Sequence, residues 1–294
     1  MIIEKIVAEV AYPIRTILGE GSLWDEKRQV LMWIDIMGCK VYCYDPKNRS
    51  NQGYDVGEHV GTVVLDDSGA IHIALVNGIA KLDPATGILT RGAAPEADKP
   101  GNRFNDGKCD PRGRFWAGTM AYDLTENEGA LYCFNGKGNY ETKLRNVSIS
   151  NGLVWSRDET IFYFIDSLTY ELHSYDYNPD TSEISNKKVV HKFSQDGGMP
   201  DGMAIDSEGH VWVALYWGHK VIRIDPAGGE IVYEIEVPVP NVTSCAFGGE
   251  SLNDLYITTA SSSMKEEIEK YPLAGSLFKA NLPFTGVVGN RYKT

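Results

Sequence analysis

No stretch of this chain approaches the roughly 20 consecutive apolar residues that a helix needs to cross a bilayer. The N-terminal segment Met1–Ile14 carries Glu4 and Glu9, so it does not read as the apolar region of a secretory signal. Basic charge is scarce: 28 Lys and Arg stand against 40 Asp and Glu, a net charge of −12. With no basic stripe, neither nucleic acid nor a membrane surface is expected as a partner. The five cysteines, Cys39, Cys43, Cys109, Cys133 and Cys245, are odd in number and include no CxxC pair. Zinc-finger and thioredoxin chemistry therefore have no support, and the expectation is reduced thiols in a cytoplasmic protein. HExxH, a GxSxG elbow, and the Walker and Rossmann glycine patterns are missing too. That leaves zinc-protease, serine-nucleophile and nucleotide chemistry without a motif. Long amphipathic helical patterns are also lacking; the acidic stretch Met264–Tyr271 has room for a turn or two at most.

What the chain does have is short strands. Its hydrophobic fraction is 43%, with 30 Gly and 16 Tyr, a composition suited to many strands joined by tight turns. Strand-like cores recur at Leu31–Ile36, Ile71–Val76, Phe115–Thr119, Ile161–Ile165, Val211–Tyr216 and Leu255–Thr259. Their starts lie 40 to 50 residues apart, the period of a four-stranded propeller blade. A pair of β-sandwiches would explain regular strands but not a shared period. The expectation is an all-β, six-bladed β-propeller with a central channel, one domain over residues 1–294. Its last blade would be closed by the N-terminal strand, with Ile2–Val10 beside Ser276–Ala280.

Upstream of each core lies another strand that ends in a polar turn. Aligning the six repeats on Asp25, Asp66, Asp110, Ser156, Asp206 and Gly248 and stepping back five positions gives Glu20, Gly61, Asn105, Asn151, Asp201 and Thr243. Asp, Asn and Glu at strand starts are ordinary turn formers, which explains any one of them. It does not explain their agreement: Glu20, Asn151 and Asp201 are each followed by Gly, and Asn105 by Asp106-Gly107. Because first strands line a propeller's channel, this phase of the repeat builds a ring of oxygens at the channel mouth.

Two carboxylates and two amides make a hard, all-oxygen donor set whose charge balances one divalent cation. Calcium suits it first, with magnesium, manganese or zinc as alternatives. Facing an open channel, such an ion keeps positions for water and substrate, which favours catalysis over a purely structural role. Loops after the second strands would form the rim and supply Asp123, Ser167, Tyr170, Trp217 and His219. Arg103, two residues before Asn105, is either an ion-pair partner or a clamp on substrate oxygens, and the clamp is favoured.

At these residues the sequence resembles the senescence marker protein/regucalcin/gluconolactonase family. The resemblance is carried, in order, by LGEGSLWD (Leu18–Asp25), NRFNDGKCDPRGRFWAGTM (Asn102–Met120), ISNGLVWS (Ile149–Ser156), MPDGMAID (Met199–Asp206) and TSCAFGG (Thr243–Gly249). It implies a six-bladed propeller holding one divalent ion on Glu20, Asn151 and Asp201. It also implies that Arg103 and Asn105 face substrate, with Asn105 near or on the metal. Activity is then expected to be metal-dependent opening of a sugar lactone, a small-molecule partner, by a monomer or weak homodimer. Asp201 would orient or deprotonate the attacking water, with Asp106 as second candidate, while Arg103 and Asn105 hold ring hydroxyls. Two other functions stay open: a non-catalytic calcium-binding or regulatory protein, and a phosphotriester hydrolase using the same ion. An apolar rim would favour the phosphotriester, whereas Arg103, Asp123 and Ser167 suit a polyol. One departure is local: after GTMA the animal relatives carry two acidic residues, whereas here Tyr122 precedes Asp123, in the loop that shapes the substrate cleft.

Overall fold

The computed structural model describes residues 4–261 and 265–294. Six sheets with four antiparallel strands each follow one another along the chain, each ordered from an inner strand outward, and one gains a fifth, parallel strand at its edge. The inner strands are Gly19–Asp25, Thr62–Leu65, Asn102–Cys109, Ser150–Trp155, Met199–Ile205 and Val242–Gly248. They define blades one to six. Second strands include Val30–Asp35 in blade one, Phe115–Ala121 in blade three and Val211–Tyr216 in blade five. Inner strands are buried along nearly their whole length, while outer strands such as Ser50–Asp55 are largely solvated, as the burial of a radial sheet requires.

Six apolar clusters lie between neighbouring blades and close a circle. Trp24, Leu31 and Trp33 of blade one meet Ala246, Tyr256 and Leu277 of blade six, so the last interface joins the first sheet. Trp212 and Tyr233 of blade five pack on Val242, Phe247 and Ile257 of blade six. Trp33, Trp116 and Trp212, in the second strands of alternate blades, have no exposed surface. Two of these indoles are anchored by the aspartates on which the repeats align. Trp116 Nε1 donates to Asp110 and Trp212 Nε1 to Asp206, each at 2.9 Å. The other carboxylate oxygen of Asp110 accepts the backbone N–H groups of Arg112 and Arg114, and that of Asp206 those of Glu208 and His210. Each aspartate thus folds the turn at the base of its blade and fixes a core aromatic.

The last blade is closed from the N-terminal side, with a change of detail. Glu9–Tyr12 pairs antiparallel to Leu277–Asn281, with Glu9 opposite Lys279 and Val10 opposite Phe278. Glu4–Val7 instead runs parallel to Glu230–Glu236 of blade five. Lys5 pairs with Glu234 there at 2.8 Å, and Ala8 N bonds Glu236 O at the crossing. One segment therefore covers the open edges of two adjacent sheets. Ile2 and Ile3 lie outside the described residues. Likewise the acidic stretch forms a short helix, Lys265–Lys270, and Met264 lies outside the described residues.

The C-terminal residues cross the base of the propeller. Gly286 bridges to Asp206 and Tyr292 to Asp66; Arg291 binds Asp25 at 2.6 Å, and Lys293 N bonds Gly113 O. Between this strap and the inner strands a cavity of about 240 Å³ occupies the lower channel, with Val287–Asn290 in its wall. The five cysteines are free thiols, Cys109, Cys133 and Cys245 buried and Cys39 and Cys43 half-buried. No helix among the described residues is long and apolar enough to cross a membrane.

Candidate active site at the channel mouth

Inner strands leave the mouth and second strands return to it, so residues at the start of the former and the end of the latter share one face. Five inner strands slip register against their neighbours where the aligned polar residues sit. The shifts fall between Glu20 and Leu23, Phe104 and Gly107, Ser150 and Leu153, Pro200 and Met203, and Val242 and Ser244. A bulge re-aims a side chain and ends regular pairing. Here it releases Asn105, Asp106, Asn151, Asp201 and Thr243 from the pleat, while Glu20 stays paired with Ile34 at the edge of its slip. The glycines after Asn151 and Asp201 have a steric reason. A Cβ on Gly152 would stand 2.6 Å from Asp201 O, and one on Gly202 would stand 2.5 Å from Ser244 Oγ. Neighbouring inner strands approach too closely for any side chain.

The amides are set by one run of hydrogen bonds with a single polarity. Arg103 Nη1 donates to Asn105 Oδ1 at 2.7 Å, and Asn105 Nδ2 to Asn151 Oδ1 at 2.8 Å. Asn151 Nδ2 donates to Ser167 Oγ at 2.7 Å, and Ser167 Oγ to Pro200 O at 2.7 Å. Asn105 Nδ2 also donates to Ser150 O, and Arg103 Nη1 to Phe104 O. Each amide is thereby fixed against a flip, with the Asn151 carbonyl oxygen turned toward Asn105. Arg103, Asn105, Asn151 and Ser167 are all buried.

The carboxylates are the opposite: buried and short of partners. Glu20 Oε2 accepts the Gly21 N–H and Asp106 Oδ1 the Gly107 N–H, and the Glu20 and Asp201 carboxyls lie within hydrogen-bond reach of each other. Asp106 Oδ2 and Asp201 Oδ1 are buried without a hydrogen-bond partner. Burial, then the charge of Asp106, pushes Glu20 up to about 8. Burial and the charges of Glu20 and Asp106 hold Asp201 well above the ordinary carboxylate range. Asp106 is raised by burial, against the opposing pull of Lys108. Lys108, whose Nζ donates to Met203 O, supplies cationic charge near this group. Three desolvated carboxylates beside one ammonium are what a site completed by a cation would leave behind. Among the described residues no three His, Cys, Asp or Glu side chains form a metal-holding group by themselves. A donor set made of Glu20, Asp201 and the Asn151 amide oxygen does fit a hard divalent ion, because it adds a neutral oxygen to two carboxylates.

The remaining candidates divide. Asp123 is exposed and its carboxylate caps its own loop, accepting from Thr125 N and Oγ1 at 3.1 and 2.8 Å. Ser167 is not on the rim but in the hydrogen-bond run beneath it. Thr243 bonds Gly19 O and Thr258, and Gly61 has no room for a side chain, since its Cβ would stand 2.5 Å from Phe104 O. Asp106 also lines the lower cavity with Lys108 and Cys245, so it stands where mouth and cavity meet.

Three mouth residues had no role assigned from sequence, although Tyr122 was placed in the loop that shapes the cleft. Tyr122 OH pairs with His59 Nδ1 at 2.7 Å, and the Arg103 guanidinium lies 6.0 Å from the Tyr122 ring centre. Tyr216 ends the second strand of blade five opposite Met199, and burial with the charges of Asp201 and Glu20 pushes its phenol up to about 12. A signal existed for two of them. His59 precedes Gly61 as Arg103 precedes Asn105, and Tyr216 faces the residue in that same phase of blade five.

Comparison with known proteins agrees with this architecture. The family model described as SMP-30/Gluconolactonase/LRE-like region matches residues 18–261. Regucalcin of Xenopus laevis is 40% identical over 268 residues, spanning 89% of this chain and 90% of that protein. The Bacillus subtilis (strain 168) protein YvrE, provisionally named a sugar lactone lactonase, is 38% identical over 274 residues, with 92% and 94% coverage. The crystal structure of a calcium-binding protein, regucalcin, from Agrobacterium tumefaciens str. C58 superposes with a TM-score of 0.94 at 26% identity, covering all of both chains.

Proposed function

This chain belongs to the SMP-30/gluconolactonase/LRE-like family, and from that premise we propose that it is a divalent-metal-dependent hydrolase opening a sugar lactone at the channel mouth. One observation carries the proposal: buried, under-partnered carboxylates beside an amide oxygen whose orientation a hydrogen-bond run has fixed. Glu20, Asn151 and Asp201 would hold the ion, with calcium as first choice. Such an ion supplies Lewis acidity toward a carbonyl oxygen and charge compensation for the carboxylates.

Hydrolysis places the water oxygen on the acyl carbon, breaks the bond between that carbon and the ring oxygen, and puts a proton on the ring oxygen. The hydroxy acid formed then ionises. The side chains able to take the proton of the water are those with an open oxygen, Asp201 and Asp106. Ligation lowers the basicity of a carboxylate, which weights the choice toward Asp106. Arg103 keeps donors beyond its contacts to Phe104 and Asn105, and these would orient ring hydroxyls or the carbonyl.

The test is a pH-stat assay on a panel of aldonolactones, run metal-free and then with each divalent ion, for wild type, Glu20→Ala and Asp201→Ala. Both variants should lose bound metal and turnover together while their circular dichroism stays that of a β-propeller. Wild-type turnover by Asp201→Ala in the presence of metal would remove the site from this proposal.

A further inference from the structure

We propose that the mouth has a second, apolar part centred on Tyr216 and Trp217, and that it takes an alkyl or aryl substituent carried by the lactone beside its polar ring. The inference rests on the lactonase reading and adds the substrate class.

The polar rim expected from sequence is largely committed to the protein itself: Asp123 caps Thr125 and Ser167 is buried under Asn151. Beside exposed polar residues such as Thr125 and Thr169, the rim also exposes apolar side chains. Of the eleven large hydrophobic side chains exposed among the described residues, six lie on mouth-side segments: Ile17, Met37, Tyr122, Leu124, Trp217 and Leu273. Scattered apolar exposure is ordinary; concentration around one opening is the informative pattern.

Trp217 is the extreme case. It is 63% exposed, and its ring packs edge-on against Tyr216 with centroids 4.9 Å apart. Tyr216 pairs with Met199, two residues before Asp201, so the aromatic pair stands beside the oxygen ring. Trp217 also sits at φ +64°, a left-handed conformation that costs a bulky side chain energy. Met37, at the same place in the turn of blade one, is not among the residues with positive φ. A solvent-facing indole at positive φ, packed on Tyr216 beside the oxygen ring, leaves an open aromatic face for a ligand to cover.

The experiment compares hydrolysis of δ-valerolactone with its methyl-, butyl- and heptyl-substituted homologues by the metal-loaded protein. Partial burial of the chain on Trp217 should raise kcat/KM about twofold per methylene until the rim is filled. In Trp217→Gly that rise should collapse, and the melting temperature should hold or increase because glycine accepts φ +64° freely. Ile88→Ala, which trims an exposed apolar side chain away from the mouth, should keep the wild-type rise. A flat series in wild type, or an undiminished rise in Trp217→Gly, overturns the proposal. If no member is opened, calorimetric titration of the same lactones decides the rim, while the aldonolactone assay alone decides the lactonase reading. Tighter binding of the heptyl compound to wild type but not to Trp217→Gly sustains the rim, and equal affinities overturn it.

Discussion

Ser167→Ala isolates what holds the candidate metal site in shape. Ser167 touches no substrate; it is fully buried, accepts from Asn151 Nδ2 and donates to Pro200 O, both at 2.7 Å. Removing its hydroxyl strands a donor and an acceptor where water is excluded. A buried polar group left unpaired costs roughly 1–3 kcal/mol, so the two together define the scale of the loss. Part of that loss falls on stability. The rest falls on Asn151, whose amide orientation is then held from the Asn105 side alone. Partners of this kind, one step behind a ligand, typically change metal affinity about 10–100-fold. Calorimetric titration of the metal-free variant with calcium should show that weakening, and Ser167→Cys, which retains a weak donor and acceptor, should recover part of it. Asn151→Ala is the companion measurement. If Ser167→Ala binds calcium like wild type while Asn151→Ala does not, the orientation argument is refuted although the ligand assignment stands.

Arg103→Lys should leave calcium affinity nearly unchanged and lower kcat/KM for a good lactone about ten- to a hundredfold, the scale of one charge-assisted hydrogen bond. A lowered melting temperature with intact kinetics would make Arg103 a structural residue. Asp110→Ala should cost about 3–5 kcal/mol by chemical denaturation, because it leaves the Trp116 indole, the Tyr177 hydroxyl and the Arg114 guanidinium without their shared acceptor. A loss under about 1 kcal/mol would contradict that account. Asp66 reports on pH. Burial raises its carboxyl, but hydrogen bonds from Ser68, His72 and the Ala70 N–H outweigh this and bring it to about 2. A depressed carboxylate stabilises the fold above its unfolded value of 3.8, and that contribution disappears as pH falls through about 2. The melting-temperature gap between wild type and Asp66→Asn should therefore be constant above about pH 5 and close toward pH 2; a gap that does not narrow would refute the assignment.

The six blades were legible because each repeat writes the same physical problem at one spacing. A polar turn must fold the base, an aspartate in four of the six, and a buried core must follow it, as Asp110 with Trp116 and Asp206 with Trp212 show. What the repeat does not contain was not legible. The N-terminal segment splits between blades five and six because two open sheet edges stand side by side there, a fact of the closed ring rather than of residues 4–12. The strap through Gly286, Arg291 and Tyr292 has no hydrophobic period at all. Its partners are turns from five blades that become neighbours only once the ring has closed.

The site divides along the same line. Phase in the repeat found Glu20, Asn105, Asn151 and Asp201 because pseudo-symmetry converts equal phase into equal depth on the axis. It could not find the bulges that turn them inward, since a register slip leaves no residue signature beyond a following glycine. That glycine read as turn chemistry or as a ligand mark, and its cause is the close passage of the next inner strand, as at Gly152 against Asp201 O. Nor could phase say which polar rim residues remain available. Asp123 and Ser167 have the right chemistry at the right end of a strand, yet one caps a loop and the other locks an amide. Availability is set by competition for hydrogen bonds in three dimensions, and a buried partner always outbids solvent when its geometry is met. The exposed Trp217 escapes that competition because it has no strong donor requirement to satisfy, and so its cost stays visible as strain. Specificity in this mouth therefore has to be sought in the side chains the fold leaves unsatisfied: Asp106 and Asp201 by their open oxygens, Trp217 by its open face.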